Sequence, residues 1–133
     1  MTLQRRQSRT GTAAAELAVM LPFLTFLFVI TVDFGRVFYY SQLIEDCARK
    51  GAIYACDSTL AAQSPYTSTQ AAALADAGSL SPQPTVTSTN GTDSSGNPYV
   101  QVTVSWTFKT ATAFPLIPNT INLSRTVQMR VAQ

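Results

Sequence analysis

The chain has 133 residues, a formal charge of +2, 12% charged residues and no histidine. That composition excludes histidine-based triads and most transition-metal sites, and the length allows one small domain plus an anchor. Three of the nine cations (Arg5, Arg6, Arg9) stand in the first nine residues; after residue 11, six cations face seven acids, a balance of −1 with no basic patch for nucleic acid.

The leader Arg5-Arg6-Gln7-Ser8-Arg9-Thr10-Gly11 is followed by Thr12-Ala13-Ala14-Ala15-Glu16, and residues 17–32 carry no charge. From residue 13 the apolar stretch would measure about 30 Å as a helix, the thickness of a bilayer's hydrocarbon core. Glu16 at its head is costly, on the order of 3 kcal/mol for a charge at a helix centre, so it needs a role or a partner. Its plainest reading is a carboxylate near the headgroups, stabilised by the N-terminal end of the helix dipole. The leader arginines predict an N-terminus in the cytoplasm. Arg36 beyond the span opposes that signal, but Asp33 stands three residues before it, at pairing distance on a helix. Pro22 removes a backbone hydrogen bond inside the span, which predicts a kink or a locally melted turn. An ordinary secretory signal has a shorter core and a small-x-small cleavage site. Here Asp33-Phe34-Gly35-Arg36 follows instead, and the acids Glu45 and Asp46 before Cys47 do not suit a lipobox, so the span is expected to be retained. Phe34, Phe38, Tyr39 and Tyr40 read as an interfacial aromatic belt.

Val37, Tyr40, Ile44, Cys47, Gly51 and Tyr54 then recur at 3-4-3-4-3 spacing, so the helix is predicted to continue from about residue 13 to residue 55. Glu45 with Arg49, and Asp46 with Lys50, stand in the favourable acid-first i,i+4 order. Cys47 and Cys56 are nine apart, which on a continuous helix separates them by about 180° and about 13 Å, beyond disulfide reach. Either the helix ends before Cys56 and the chain folds back, or the cysteines pair elsewhere or remain free. Cys47 lies on the apolar stripe, where packing is its expected role.

Asp57-Ser58-Thr59 breaks the pattern. A short helix is predicted over 69–77, closed by Gly78. Residues 79–98 are turn material in which 85–89 is β-prone and Asn90-Gly91 could turn a hairpin. The clearest strand is 99–109, where Val100, Val102, Val104, Trp106 and Phe108 alternate with polar residues; Trp106 is expected in the core. After Pro115 and Pro118, the residues Ile121, Leu123, Val127, Met129 and Val131 alternate again, with Arg125 interrupting the apolar set. Three strands with one apolar face, laid on the helix, make an α+β unit. The acids are scattered, Asp93-Ser94-Ser95-Gly96-Asn97 reads as a plain turn, and no cofactor or metal motif occurs. The chain is not expected to be an enzyme.

A short basic leader, a glycine, and a glutamate five residues later at the head of an apolar helix resemble a class III signal peptide of type IV pilins and pseudopilins. With Ala13-Ala14-Ala15-Glu16-Leu17-Ala18-Val19-Met20-Leu21-Pro22, then Asp33-Phe34-Gly35-Arg36-Val37-Phe38-Tyr39, and the closing Phe114-Pro115-Leu116-Ile117-Pro118 and Thr126-Val127-Gln128-Met129-Arg130, the chain resembles the TadE-like minor pilins of tight-adherence (Flp) pilus loci. The resemblance implies a long N-terminal transmembrane helix continuing into a small pilin-like domain with an antiparallel sheet of about three strands. It divides the chain into a leader (1–11), a transmembrane segment (12–34), an extracytoplasmic half-helix (35–56) and an outer α+β domain (57–133). It implies cleavage between Gly11 and Thr12 by a prepilin-type peptidase, and a Glu16 that meets the new amine of Thr12 on a neighbouring subunit, satisfying two charges that would each be costly alone in lipid. The implied partners are membrane lipid, other minor and major pilins, and the inner-membrane assembly platform, with the outer domain in the periplasm. Two other readings remain: a single-pass membrane-anchored envelope protein without a pilus role, and an exported domain released by ordinary signal peptidase.

Overall fold

The apolar stripe on 37–54 and the uncharged run before it fall on one helix. In the computed structural model, which describes residues 10–111 and 119–132 (of residue 10, the backbone only), α1 (Thr10–Cys56) is continuous over 47 residues. It starts three residues earlier than predicted, and it is unbroken through Pro22, so the melted turn does not occur. The leader arginines and the 114–118 segment lie outside the described residues. The chain continues as α2 (Ser58–Gln63), α3 (Thr69–Ala73), β1 (Thr85–Thr92), β2 (Pro98–Lys109) and β3 (Thr120–Arg130). The strands form one antiparallel sheet in the order β1-β2-β3.

The α+β expectation holds, with three local corrections. Asp57 ends α1 but also starts α2, which was not predicted: its carboxylate accepts the Thr59 and Leu60 amides at 2.8 and 3.3 Å, an N-cap. The helix predicted over 69–77 stops at Ala73, and Gly78 does not cap it. Turns carry the chain on, with Ala77 N–H donating to Leu74 and Leu80 N–H to Ala77, both at 3.0 Å. Their three-residue spacing turns Leu74, Ala77 and Leu80 onto the core. The hairpin closes at Asp93–Asn97 and not at Asn90-Gly91. Asp93 accepts the Ser95 and Asn97 amides at 2.9 and 2.8 Å, and Gly96 takes φ +82°. Gly91 stays in the ladder opposite Tyr99, whose ring would lie 2.5 Å from any Cβ there.

The predicted stripe packs on the sheet. Ile44, Cys47, Ala48 and Ala52 are fully buried against Val100, Val102, Val104 and Phe108. Small residues on this face bring the helix close: a Cβ at Gly51 would sit 2.9 Å from Ala73 Cβ and 3.1 Å from Val102 Cγ1. Trp106 is half-buried, with its indole N–H donating to the Pro82 carbonyl at 2.7 Å. Arg125 sits opposite Val104 on the helix-facing side of β3 and reaches the Ser41 hydroxyl and, at 3.9 Å, the Glu45 carboxylate. Of the two predicted i,i+4 pairs, Glu45–Arg49 forms at 3.4 Å. Lys50 pairs with Asp76 instead of Asp46, because the turn after α3 carries that carboxylate over the helix.

The sheet is anchored along residues 33–56. Ala111 N–H meets Asp33 at one end, and Ala132 N–H donates to the Cys56 carbonyl at 2.8 Å at the other. β2 therefore runs back toward residue 33, and β3 returns beside it.

Candidate functional site in the long helix

The described part of the sheet stops at Asp33, and most of the apolar residues before it are exposed among the described residues, with Phe26, Val29 and Ile30 half-buried. Leu17, Val19 and Phe28 are 59%, 78% and 68% exposed, a large cost in water and a match to lipid. The helix is long and apolar enough to cross a membrane. Its internal hydroxyls suit such surroundings, because Thr25 and Thr31 each donate to the carbonyl four residues back, Leu21 and Leu27, at 2.8 Å.

Near the start, Thr12, Ala15, Glu16, Val19 and Met20 share one face of the helix. Glu16 is exposed and makes no ion pair among the described residues. Gly11 is also open: a Cβ there would meet nothing within 4 Å, so packing does not require a glycine. Gly11, Thr12 and Glu16 thus lie within about two turns of a bare helix end. Pro22 lies on the same bare stretch, far from the sheet.

At the other end of the bare stretch, Asp33 is buried to 6% exposure. Its carboxylate accepts Arg36 Nη1 and the Ala111 amide, both at 3.2 Å, so the predicted Asp33–Arg36 pair exists and also holds the end of β2. The Arg36 guanidinium stands 5.1 Å over the Phe108 ring. Phe34, Phe38 and Tyr39 are exposed, as belt residues would be, whereas Tyr40 turns into the domain with its ring 5.0 Å from Trp106 and 5.5 Å from Phe108. This aromatic cluster was missed in the sequence; the signal was Tyr40's place on the 3-4 stripe.

Both cysteines are free. Because α1 continues through Cys56, the fold-back alternative is ruled out, and the nine-residue helical separation keeps the two apart. Cys47 is fully buried, as packing predicted; burial pushes its thiol above the ordinary value, and the Asp76 carboxylate adds to the effect. Cys56 is half-buried, with Sγ 3.3 Å from the Ile53 carbonyl. Among the described residues, no group of three or more histidine, cysteine or acidic side chains gathers to hold a metal.

No curated protein and no solved structure matches the chain. Residues 11–52 match the family described as TadE-like protein. The match starts at the open glycine, takes in Glu16, the bare apolar stretch and the Asp33 junction, and ends on the buried stripe at Ala52. From Gly11 to Ala52, the long helix is similar to the TadE-like family, whose members are pilus-associated structural proteins.

Proposed function

We propose that the protein is a pseudopilin or minor pilin of a tight-adherence (Flp-type) pilus. A prepilin-type peptidase cuts after Gly11, and the mature chain, starting at Thr12, stays in the inner membrane by its helix. The amino end faces the cytoplasm and the sheet domain faces the periplasm. Glu16 then pairs with the Thr12 amine of a neighbouring pilin, and the bare helix packs against other minor and major pilins and the assembly platform.

The observation that carries this reading is the coincidence of three features on one segment: the TadE-like match beginning at Gly11, a Glu16 with no ion pair among the described residues, and an apolar helix that is mostly exposed there. A glycine in a helix costs about 1 kcal/mol against alanine, and no described residue packs against Gly11 to offset that. Recognition by a peptidase accounts for it. An unpaired carboxylate at the edge of hydrocarbon is likewise costly, and a neighbour's amine offsets the cost.

N-terminal peptide mapping of the membrane-extracted protein tests the reading. A mature start at Thr12 is expected in a host with the peptidase and is lost in Gly11→Val. An intact start at Met1 or Thr2 in that host would leave only a single-pass envelope anchor with an interaction domain. Glu16→Ala is expected to be cut normally but to fail in assembly.

A further inference from the structure

A groove of about 410 Å³ opens where the helix leaves the bare stretch, between α1, the 79–82 segment and the end of β2. Arg36, Lys109, Ser79, Ser81, Thr107 and Trp106 are among its lining. Two cations and three hydroxyls converge there beside an apolar wall.

Its depth follows from the helix. Val32 is the last residue of the uncharged run, and Arg36 lies four residues further, about 6 Å along the axis. The headgroup layer on each side of a bilayer is about 5–7 Å thick. Lys109 stands next to Phe108, whose ring lies under the Arg36 guanidinium, so both cations belong to this level. Asp33 takes one of the five guanidinium N–H donors and offsets one charge. Lys109 makes no ion pair among the described residues, so the groove keeps positive charge.

We propose that this groove is a headgroup site for an anionic phospholipid, with Arg36 and Lys109 meeting the phosphate and the serine hydroxyls donating to its remaining oxygens. Trp106 and Tyr40 form the apolar wall against which the glycerol end rests. The site rests on the reading of α1 as a membrane span. Such a contact fixes the height of the domain on the membrane and favours anionic lipid around it.

Trp106 is the chain's single tryptophan and lies in the groove wall, so it reports directly. The full chain is placed in phosphatidylcholine vesicles containing acyl-brominated phosphatidylglycerol or, in parallel, acyl-brominated phosphatidylcholine. Phosphatidylglycerol is expected to quench Trp106 at severalfold lower mole fraction. Lys109→Gln and Arg36→Gln are each expected to weaken that preference about fivefold, and Ser79→Ala/Ser81→Ala to weaken it further, with helical circular dichroism unchanged. Equal quenching by both lipids, or a preference indifferent to Lys109→Gln, overturns the site while leaving the membrane span intact. Quenching by neither lipid overturns the placement of the groove at headgroup level. A Trp106 response to excess inorganic phosphate in pure phosphatidylcholine, equal to that produced by phosphatidylglycerol, overturns the lipid assignment in favour of a soluble phosphate.

Discussion

Gly51→Ala tests how tightly α1 is seated on the sheet, and Gly35→Ala on the same helix provides its reference. At Gly51 the new Cβ would meet Ala73 Cβ at 2.9 Å and Val102 Cγ1 at 3.1 Å, whereas at Gly35 it would meet nothing within 4 Å. The Ala73 methyl is bonded directly to the backbone of α3 and cannot rotate aside, so α3 has to shift. Overpacking of this kind costs typically about 1–3 kcal/mol. Both substitutions gain the same helix propensity, up to about 1 kcal/mol, so the difference between the two variants isolates the packing effect. With the helix from Gly35 to Gly51 unfolding as one unit, Gly51→Ala is therefore expected to lie about 1–3 kcal/mol below Gly35→Ala. For a domain of 60–100 residues, each kcal/mol moves Tm by about 4–8 °C. The assay is thermal unfolding in detergent followed by Trp106 fluorescence, which senses helix–sheet contact through Tyr40. Coincident Tm values for the two variants would refute the close approach at Gly51.

Asp33→Ala removes a buried carboxylate that accepts the Ala111 amide and the Arg36 guanidinium, and a loss of about 1–3 kcal/mol is expected in denaturant unfolding. Asp33→Asn, which keeps an acceptor oxygen, should retain most of the stability; equal losses in the two would remove the amide contact from the account. Asp57 is held below the ordinary carboxylate value of 3.8 by the Thr59 hydroxyl and the Thr59 and Leu60 amides, and Asp93 chiefly by the Asn97 amide. A depressed carboxylate stabilises the fold above its unfolded value, and that stability is lost as pH falls through the folded value. Urea midpoints should therefore drop below about pH 3.8 and drop less in Asp57→Asn/Asp93→Asn; an identical pH slope would contradict the cap and turn geometry. Cys56 should take up maleimide in the native protein and Cys47 only on denaturation, read by intact mass; two fast adducts would mean that the core around Cys47 opens readily.

Where periodicity is local, the sequence shows the structure. The 3-4 stripe from Val37 to Tyr54 marks the buried face of α1, and the strict alternation from Val100 to Phe108 marks β2. Gly11 and Glu16 were visible as a motif because their spacing and the apolar run behind them need no tertiary information. Contacts between distant residues were not legible. Asp33 takes the Ala111 amide 78 residues away, Lys50 finds Asp76 in place of its helical neighbour, and Arg125 fills an apolar slot because Ser41 and Glu45 face it. The hairpin turn was misplaced because Asn90-Gly91 has the stronger local signature. The Asp93 carboxylate satisfies more amides, and Tyr99 covers Gly91 in the ladder.

The two anchor points, Asp33 with Ala111 and Cys56 with Ala132, have a mechanical consequence. About 35 Å of helix lies between residues 33 and 56, and β2 and β3 run along it, fixed at both ends. A pull entering through the membrane helix and leaving through the sheet loads the interface in shear, so many contacts share the force together. The same pull across the strands would peel them one at a time. The domain therefore resists tension best along the axis of its own anchor.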